Sequence, residues 1–117
     1  MNAANESGRL NGKVAIVTGA GAGIGKTIAE TFAREGASVC VADINGASAE
    51  AAAQELVAAG ASAIGVEMDV TDEDAVKAAV DRVAKNFGSV DILVANAGIQ
   101  HLSEIADLSF ADWKRVL

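Results

Sequence analysis

Four short apolar runs punctuate the chain, and stretches with helical spacing separate them. Val14-Ala15-Ile16-Val17, Val39 to Ala42 and Ile92 to Ala95 are uninterrupted, which suits strands covered on both faces. Ala63 to Met68 is a weaker run, broken by Gly65. Ile24, Ile28 and Phe32 recur every four residues, and Gly36 is placed to end that helix in the left-handed conformation. Residues 47–59 are almost all strong helix formers and stop at Gly60. Thr71 followed by Asp74 predicts a capping-box start, with Val76, Val80, Val83 and Phe87 as the buried stripe and Gly88 as the end. Ser109 and Asp112 predict one more helix start, with Phe110, Trp113 and Val116 or Leu117 on one face.

Strand and helix thus alternate, and crossovers of this length imply a parallel sheet. The expected fold is α/β: a Rossmann-type doubly wound parallel sheet in the order 3-2-1-4, with the rest of the sheet absent from this chain. A ligand would then sit above the first strand, where the winding reverses. Residues 1–12 are polar and read as a tail, leaving 13–117 as one domain.

Composition narrows the function. Hydrophobic residues make up 51 % of the 117 positions but aromatics only 3 %, with 12 glycines and no tyrosine or proline. Small side chains in such numbers suit helices lying close on a sheet. The net charge of -7, with nine basic residues scattered among sixteen acids, argues against a nucleic-acid partner. Cys40 is the only cysteine, so no intramolecular disulfide forms; within Val39-Cys40-Val41 it reads as a small buried hydrophobe. No secretory signal or membrane span is visible, so a cytoplasmic protein without a membrane partner is expected.

Chemistry concentrates in the turn Thr18-Gly19-Ala20-Gly21-Ala22-Gly23-Ile24-Gly25, between the first strand and the first helix. A helix N-terminus presents unpaired N–H groups and partial positive charge, which suits a diphosphate. Side chains in the turn would hold the phosphates off, and Gly25 would let the helix pack close on the strand. Gly25-Lys26-Thr27 also resembles the end of a P-loop, which would mean a nucleoside triphosphate and magnesium. That loop needs its first glycine where Ala20 stands. The spacing fails, and Lys26 reads as a solvated helix residue.

Asp43 closes the second apolar run, 18 residues after Gly25. A carboxylate near this spacing can accept hydrogen bonds from the adenosine ribose hydroxyls of a dinucleotide. It also disfavours a 2′-phosphate, since two unit charges about 4 Å apart at an effective dielectric near 20 repel by roughly 4 kcal/mol. The expected cofactor is therefore NAD rather than NADP.

With these residues in view, the sequence resembles the short-chain dehydrogenase/reductase family over residues 10–117. Thr18-Gly19 through Gly23-Ile24-Gly25 matches its Thr-Gly-x-x-x-Gly-x-Gly motif, Asp69-Val70 its adenine-contacting pair, and Asn96-Ala97-Gly98 its Asn-Asn-Ala-Gly element. Ala95 departs from that element by replacing the first Asn. The resemblance implies a cofactor-binding set of Gly19, Ala22, Gly23, Ile24, Gly25, Asp43, Ile44, Asp69, Val70, Asn96, Ala97 and Gly98. It also implies hydride transfer dependent on a Tyr and Lys four residues apart, a Ser before them and an Asn earlier still, all downstream of this region. No tyrosine is present, so no catalytic residue and no metal ligand is assigned here, and this chain alone is expected to be inactive. Homo-oligomers are implied for the full-length enzyme.

Gly98-Ile99-Gln100-His101 is similar to the segment in D-3-hydroxybutyrate dehydrogenases of that family, where the Gln helps hold the substrate carboxylate. Gln100 and His101 are the expected substrate contacts, and 3-hydroxybutyrate the best single substrate among small hydroxy acids, alcohols and ketones. A 3-oxoacyl or sugar-alcohol reductase, or a dinucleotide-binding module without catalysis, stands as the alternative.

Overall fold

The structure, a computed structural model, describes residues 8–96 and the backbone of residues 101–103. Its elements run β1 (Val14–Thr18), α1 (Gly23–Arg34), β2 (Ser38–Asp43), α2 (Gly46–Ala58), β3 (Ala63–Glu67), α3 (Glu73–Phe87), β4 (Ile92–Ala95) and β5 (His101–Ser103). The sheet order is β3-β2-β1-β4-β5. The first four strands are parallel, in the expected order, with Ile16 beside Cys40 on one side and Leu93 on the other.

The strands lack polar alternation because both sheet faces are buried. Val17, Val39, Val41 and Val94 face the core made with α1 and α2; Ile16, Cys40, Ala42 and Leu93 face the core made with α3. Successive side chains of a strand point to opposite faces, so a strand between two helical layers is apolar throughout. Truncating Ile16, 1 % exposed, to Ala would cost about 2–5 kcal/mol.

The helices reach the sheet through small residues. Ala49, Ala52, Ala53 and Leu56 form the buried stripe of α2. Gly65 lies beneath it: a Cβ there would stand 2.6 Å from the Ala49 carbonyl oxygen. The glycine that interrupts the third apolar run is what lets α2 lie on β3. Gly88 ends α3 in the left-handed conformation, as its position predicts.

Three expectations are corrected. Ile24 is not part of the buried face of α1; it is 70 % exposed, and Gly25, Ala29 and Ala33 are the buried residues, with Ile28 and Phe32 packed at the margin. The cap of α3 is Asp72, whose Oδ1 accepts from the Asp74 and Ala75 amides, while Thr71 donates from N and Oγ1 to Asp69 instead. Finally, the sheet does not stop at the fourth strand: β5 pairs with β4 antiparallel, setting Ala95 opposite His101. The helix expected from Ser109 lies outside the described residues.

Candidate functional site

The site forms where β1, β2 and β4 end together, beside the start of α1. Ala22 is the N-cap residue of α1, and with a methyl side chain it bonds to none of the first-turn amides; no acid occupies the first turn either. The first N–H groups of a helix have no partner within it. Here they face outward from a turn of glycines and alanines, with Ala22, Gly23 and Ile24 exposed.

The turn is held from below. Gly19 and Gly23 adopt positive φ, 62° and 63°. A Cβ on Gly25 would stand 2.3 Å from the Gly19 carbonyl oxygen and 2.7 Å from Asn96 Nδ2. Only a bare backbone lets the helix start approach this closely, so Gly25 packs against the turn itself and against Asn96. Asn96 ties the end of β4 into the same place: its Nδ2 donates to the Gly19 carbonyl at 3.4 Å and its backbone N to Thr18 Oγ1 at 3.0 Å. The buried Thr18 hydroxyl donates in turn to the Val94 carbonyl. Ala95 at the departing position is itself buried, 1 % exposed.

Asp43 closes the other side. Its Oδ2 accepts from the Gly21 amide and its Oδ1 from the Asn45 amide, both at 2.9 Å. A carboxylate offers about four acceptor positions, so room remains for two hydroxyl donors such as a ribose diol. Both amides also fix the carboxylate in orientation. A Cβ on Gly21 would meet Ser48 Cβ at 2.8 Å and Asp43 Oδ2 at 3.0 Å, so the turn, the strand end and the start of α2 share one small volume. Asn45 caps α2, its Oδ1 accepting from the Ser48 amide at 3.0 Å.

Two large apolar side chains stand exposed at this end of the sheet: Ile24 at 70 % and Ile44 at 68 %. Exposed aliphatics beside polar groups are what a flat aromatic or sugar ring needs for contact. Farther out, Asp69 is exposed, and the Thr71 hydroxyl and amide hold its carboxyl below the ordinary range. Val70 packs partly into the core beneath α3.

Other candidates move away from the chemistry. Lys26 pairs with Glu55 of α2 at 2.8 Å, a bond that raises the pKa of its ammonium group. It spans two helices on the same sheet face, which removes the P-loop reading further. Burial pushes the Cys40 thiol up to about 12, leaving it an inert core residue. No group of three or more potential metal ligands occurs among the described residues, and no described helix is long and apolar enough to cross a membrane. Ala97, Gly98 and Gln100 lie outside the described residues, as does the side chain of His101.

Gly19, Gly25 and Asn96 thus lie against one another, Asp43 holds Gly21, and Gly23 opens α1. Asn45 and Ser48 were not among the expected residues, and Thr18 was expected only as the start of the turn motif, not for the bonds its hydroxyl makes to Val94 and Asn96. Asn45 was detectable, because Asn two residues before a run of helix formers is a preferred N-cap; the proximity of Ser48 to Gly21 was not.

The family described as short chain dehydrogenase matches residues 13–117. D-threitol dehydrogenase of Mycolicibacterium smegmatis is 45 % identical over 93 % of this chain and 42 % of its own length. Cis-4-hydroxycyclohexanecarboxylate dehydrogenase of Sinomonas cyclohexanicum is 46 % identical over 90 % of this chain and 42 % of its own length. The crystal structure of a hydroxysteroid dehydrogenase from Escherichia coli superimposes with a TM-score of 0.74 at 50 % identity, covering 78 % of this chain and 38 % of that one. The chain spans about two fifths of the length of these curated relatives.

Proposed function

The chain belongs to the short-chain dehydrogenase family, and on that premise we propose that it is the NAD-binding part of an oxidoreductase interconverting an alcohol and its ketone. The family's nicotinamide cofactor fits the residues present. Gly25 and Gly21 leave bare backbone where a Cβ would strike the turn or Asp43, the first turn of α1 has no side-chain cap, and Asp43 stands across from it. The diphosphate would rest on the Gly23, Ile24 and Gly25 end of α1. The adenosine ribose would donate to Asp43. Ala22, Ile44, Asp69, Val70, Asn96, Ala97 and Gly98 complete the proposed cofactor set. When bound, the nicotinamide supplies the hydride acceptor or donor; this chain's residues bind and orient it.

The observation that carries NAD over NADP is the clamped carboxylate. Two backbone amides hold Asp43, so it cannot swing aside to admit a 2′-phosphate. Calorimetric titration of the intact protein with NADH and NADPH tests this. NADH binds at least tenfold more tightly, in keeping with even half of the roughly 4 kcal/mol repulsion, and Asp43→Ser narrows the gap. Equal affinities in the unsubstituted protein would refute the assignment.

For substrate we propose a small hydroxy acid, with 3-hydroxybutyrate the first to assay. Gln100 would donate its amide to the carboxylate and His101 lie nearby; the name of the S. cyclohexanicum relative, whose substrate is a hydroxy acid, supports the class. The name of the threitol relative supports a second reading, a polyol, which the same assay separates. The acid/base chemistry is assigned to residues outside this sequence, so the 117-residue polypeptide alone is proposed to bind NADH without turnover. A cytoplasmic homo-oligomer is the proposed setting.

A further inference from the structure

We propose that Lys26 and Glu55 together set how tightly the cofactor diphosphate is held, Lys26 by placing a positive charge in the first turn of α1 and Glu55 by cancelling that charge from α2. The inference rests on the dinucleotide reading above and deepens it.

Stability alone gives little reason for a lysine here. The first turn of a helix is the positive end of its macrodipole, where carboxylates are favoured and cations are not. Lys26 closes that turn, its amide donating to the Ala22 carbonyl at 3.4 Å. Between Val14 and Asp43 the other basic residue is Arg34, in the last turn of the same helix. The residues from Gly19 to Gly25 are all uncharged, so Lys26 is the formal positive charge nearest in sequence to the proposed diphosphate cradle. Helical side chains lean back toward the N-terminus, and its stem therefore sets out on the side of the glycine turn. The ammonium then crosses to Glu55 Oε2 at 2.8 Å, with the lysine side chain one-third exposed and the glutamate more than half. A pair this exposed adds little to stability. The Glu55 hydrogen bond and charge raise the ammonium pKa, and the Glu30 charge adds to the effect, so Lys26 stays charged through the neutral range. A diphosphate carries two negative charges and feels each unit charge nearby twice over. In the intact pair the two contributions nearly cancel; either partner alone would not.

The experiment titrates NADH into the intact protein and its Glu55→Gln, Lys26→Met and doubly substituted variants, at ionic strengths of about 0.01 M and about 0.15 M. Thermal denaturation verifies that each variant is folded. At the lower ionic strength Glu55→Gln unmasks the lysine and strengthens NADH binding roughly fivefold, while Lys26→Met leaves the glutamate unpaired and weakens it roughly fivefold. The double variant returns to within about twofold of the unsubstituted protein. At the higher ionic strength both single effects shrink to about twofold or less, because charges separated by more than a Debye length are screened. A pair that merely braced α1 against α2 would behave otherwise: both single substitutions would weaken binding, neither effect would respond to salt, and the double variant would recover nothing. Single variants that move in the same direction, that leave NADH affinity unchanged, or that move it independently of salt overturn the inference. Glu55→Gln decides the matter by itself if Lys26→Met does not fold, since strengthening that salt erases has no account in bracing. If the unsubstituted protein does not bind NADH, the proposed function falls and this inference with it. If it binds NADH and the two single variants fail to part in opposite directions, only this inference falls.

Discussion

The helix starts of this molecule differ in where their unpaired amides find partners. α2 and α3 supply their own: Asn45 accepts from Ser48 N, and Asp72 from Asp74 N and Ala75 N. α1 begins with Ala22, whose side chain can accept nothing, and its first turn carries no acid. The same electrostatic demand exists at each end. Among the described helices it is met from within at α2 and α3, and at α1 no side chain meets it. The capped starts spend their amides on folding; the bare start leaves its own free for the anion proposed above, at a cost in intrinsic stability. Its geometry is held instead by tertiary contacts, through Gly25 on Gly19, Asn96 on Gly19, and Asp43 on Gly21.

Four substitutions break or sharpen this contrast, in falling order of effect. Gly25→Ala forces a methyl into the Gly19 carbonyl and displaces the bare amides. We expect loss of about two charge-assisted hydrogen bonds to the diphosphate, some 3 kcal/mol or roughly a hundredfold in NADH affinity. Denaturant titration should also show about 1–3 kcal/mol of overpacking cost. Ala22→Asp turns the bare start into a capped one. It should stabilise the unliganded protein by about 0.5–1 kcal/mol while weakening NADH binding roughly tenfold or more by charge repulsion; a rise in both quantities would undo the contrast. Asp72→Ala strips a capped start. Stability should fall by about 1 kcal/mol with NADH affinity unchanged, because that end serves only the fold. Thr71→Val is the smallest. The Asp69 carboxyl sits below its ordinary value through the Thr71 hydroxyl and amide, so its contribution is present above the unfolded pKa and lost as pH falls through the folded one. Removing the hydroxyl should move its NMR titration part of the way back up.

Much of the site could be read in one dimension because its parts are spaced by regular elements. One turn fixes the distance from Thr18 to Gly25, and the rest of α1 with β2 brings Asp43 alongside. The failures have physical reasons too. Hydrophobic periodicity gave Ile24 to the core, but α1 approaches the sheet so closely that only Gly25, Ala29 and Ala33 fit beneath it, and the large residue is turned out. At Thr71 and Asp72 two capping side chains compete within adjacent positions. Asp69 takes the first and leaves the second for the helix. β5 is three residues long, too short for any alternation to declare itself.

The amino-acid sequence alone determined the order of strands and helices, the glycine turn and the acid that faces it, because each depends on local periodicity, backbone sterics and fixed spacing. Only the tertiary structure decided how those pieces are clamped: Asp43 on Gly21, Ser48 against the same glycine, Asn96 on Gly19, Lys26 drawn to Glu55. Such contacts join residues far apart in the chain. Their geometry is set by how closely small side chains allow helices to approach the sheet, which no single segment encodes.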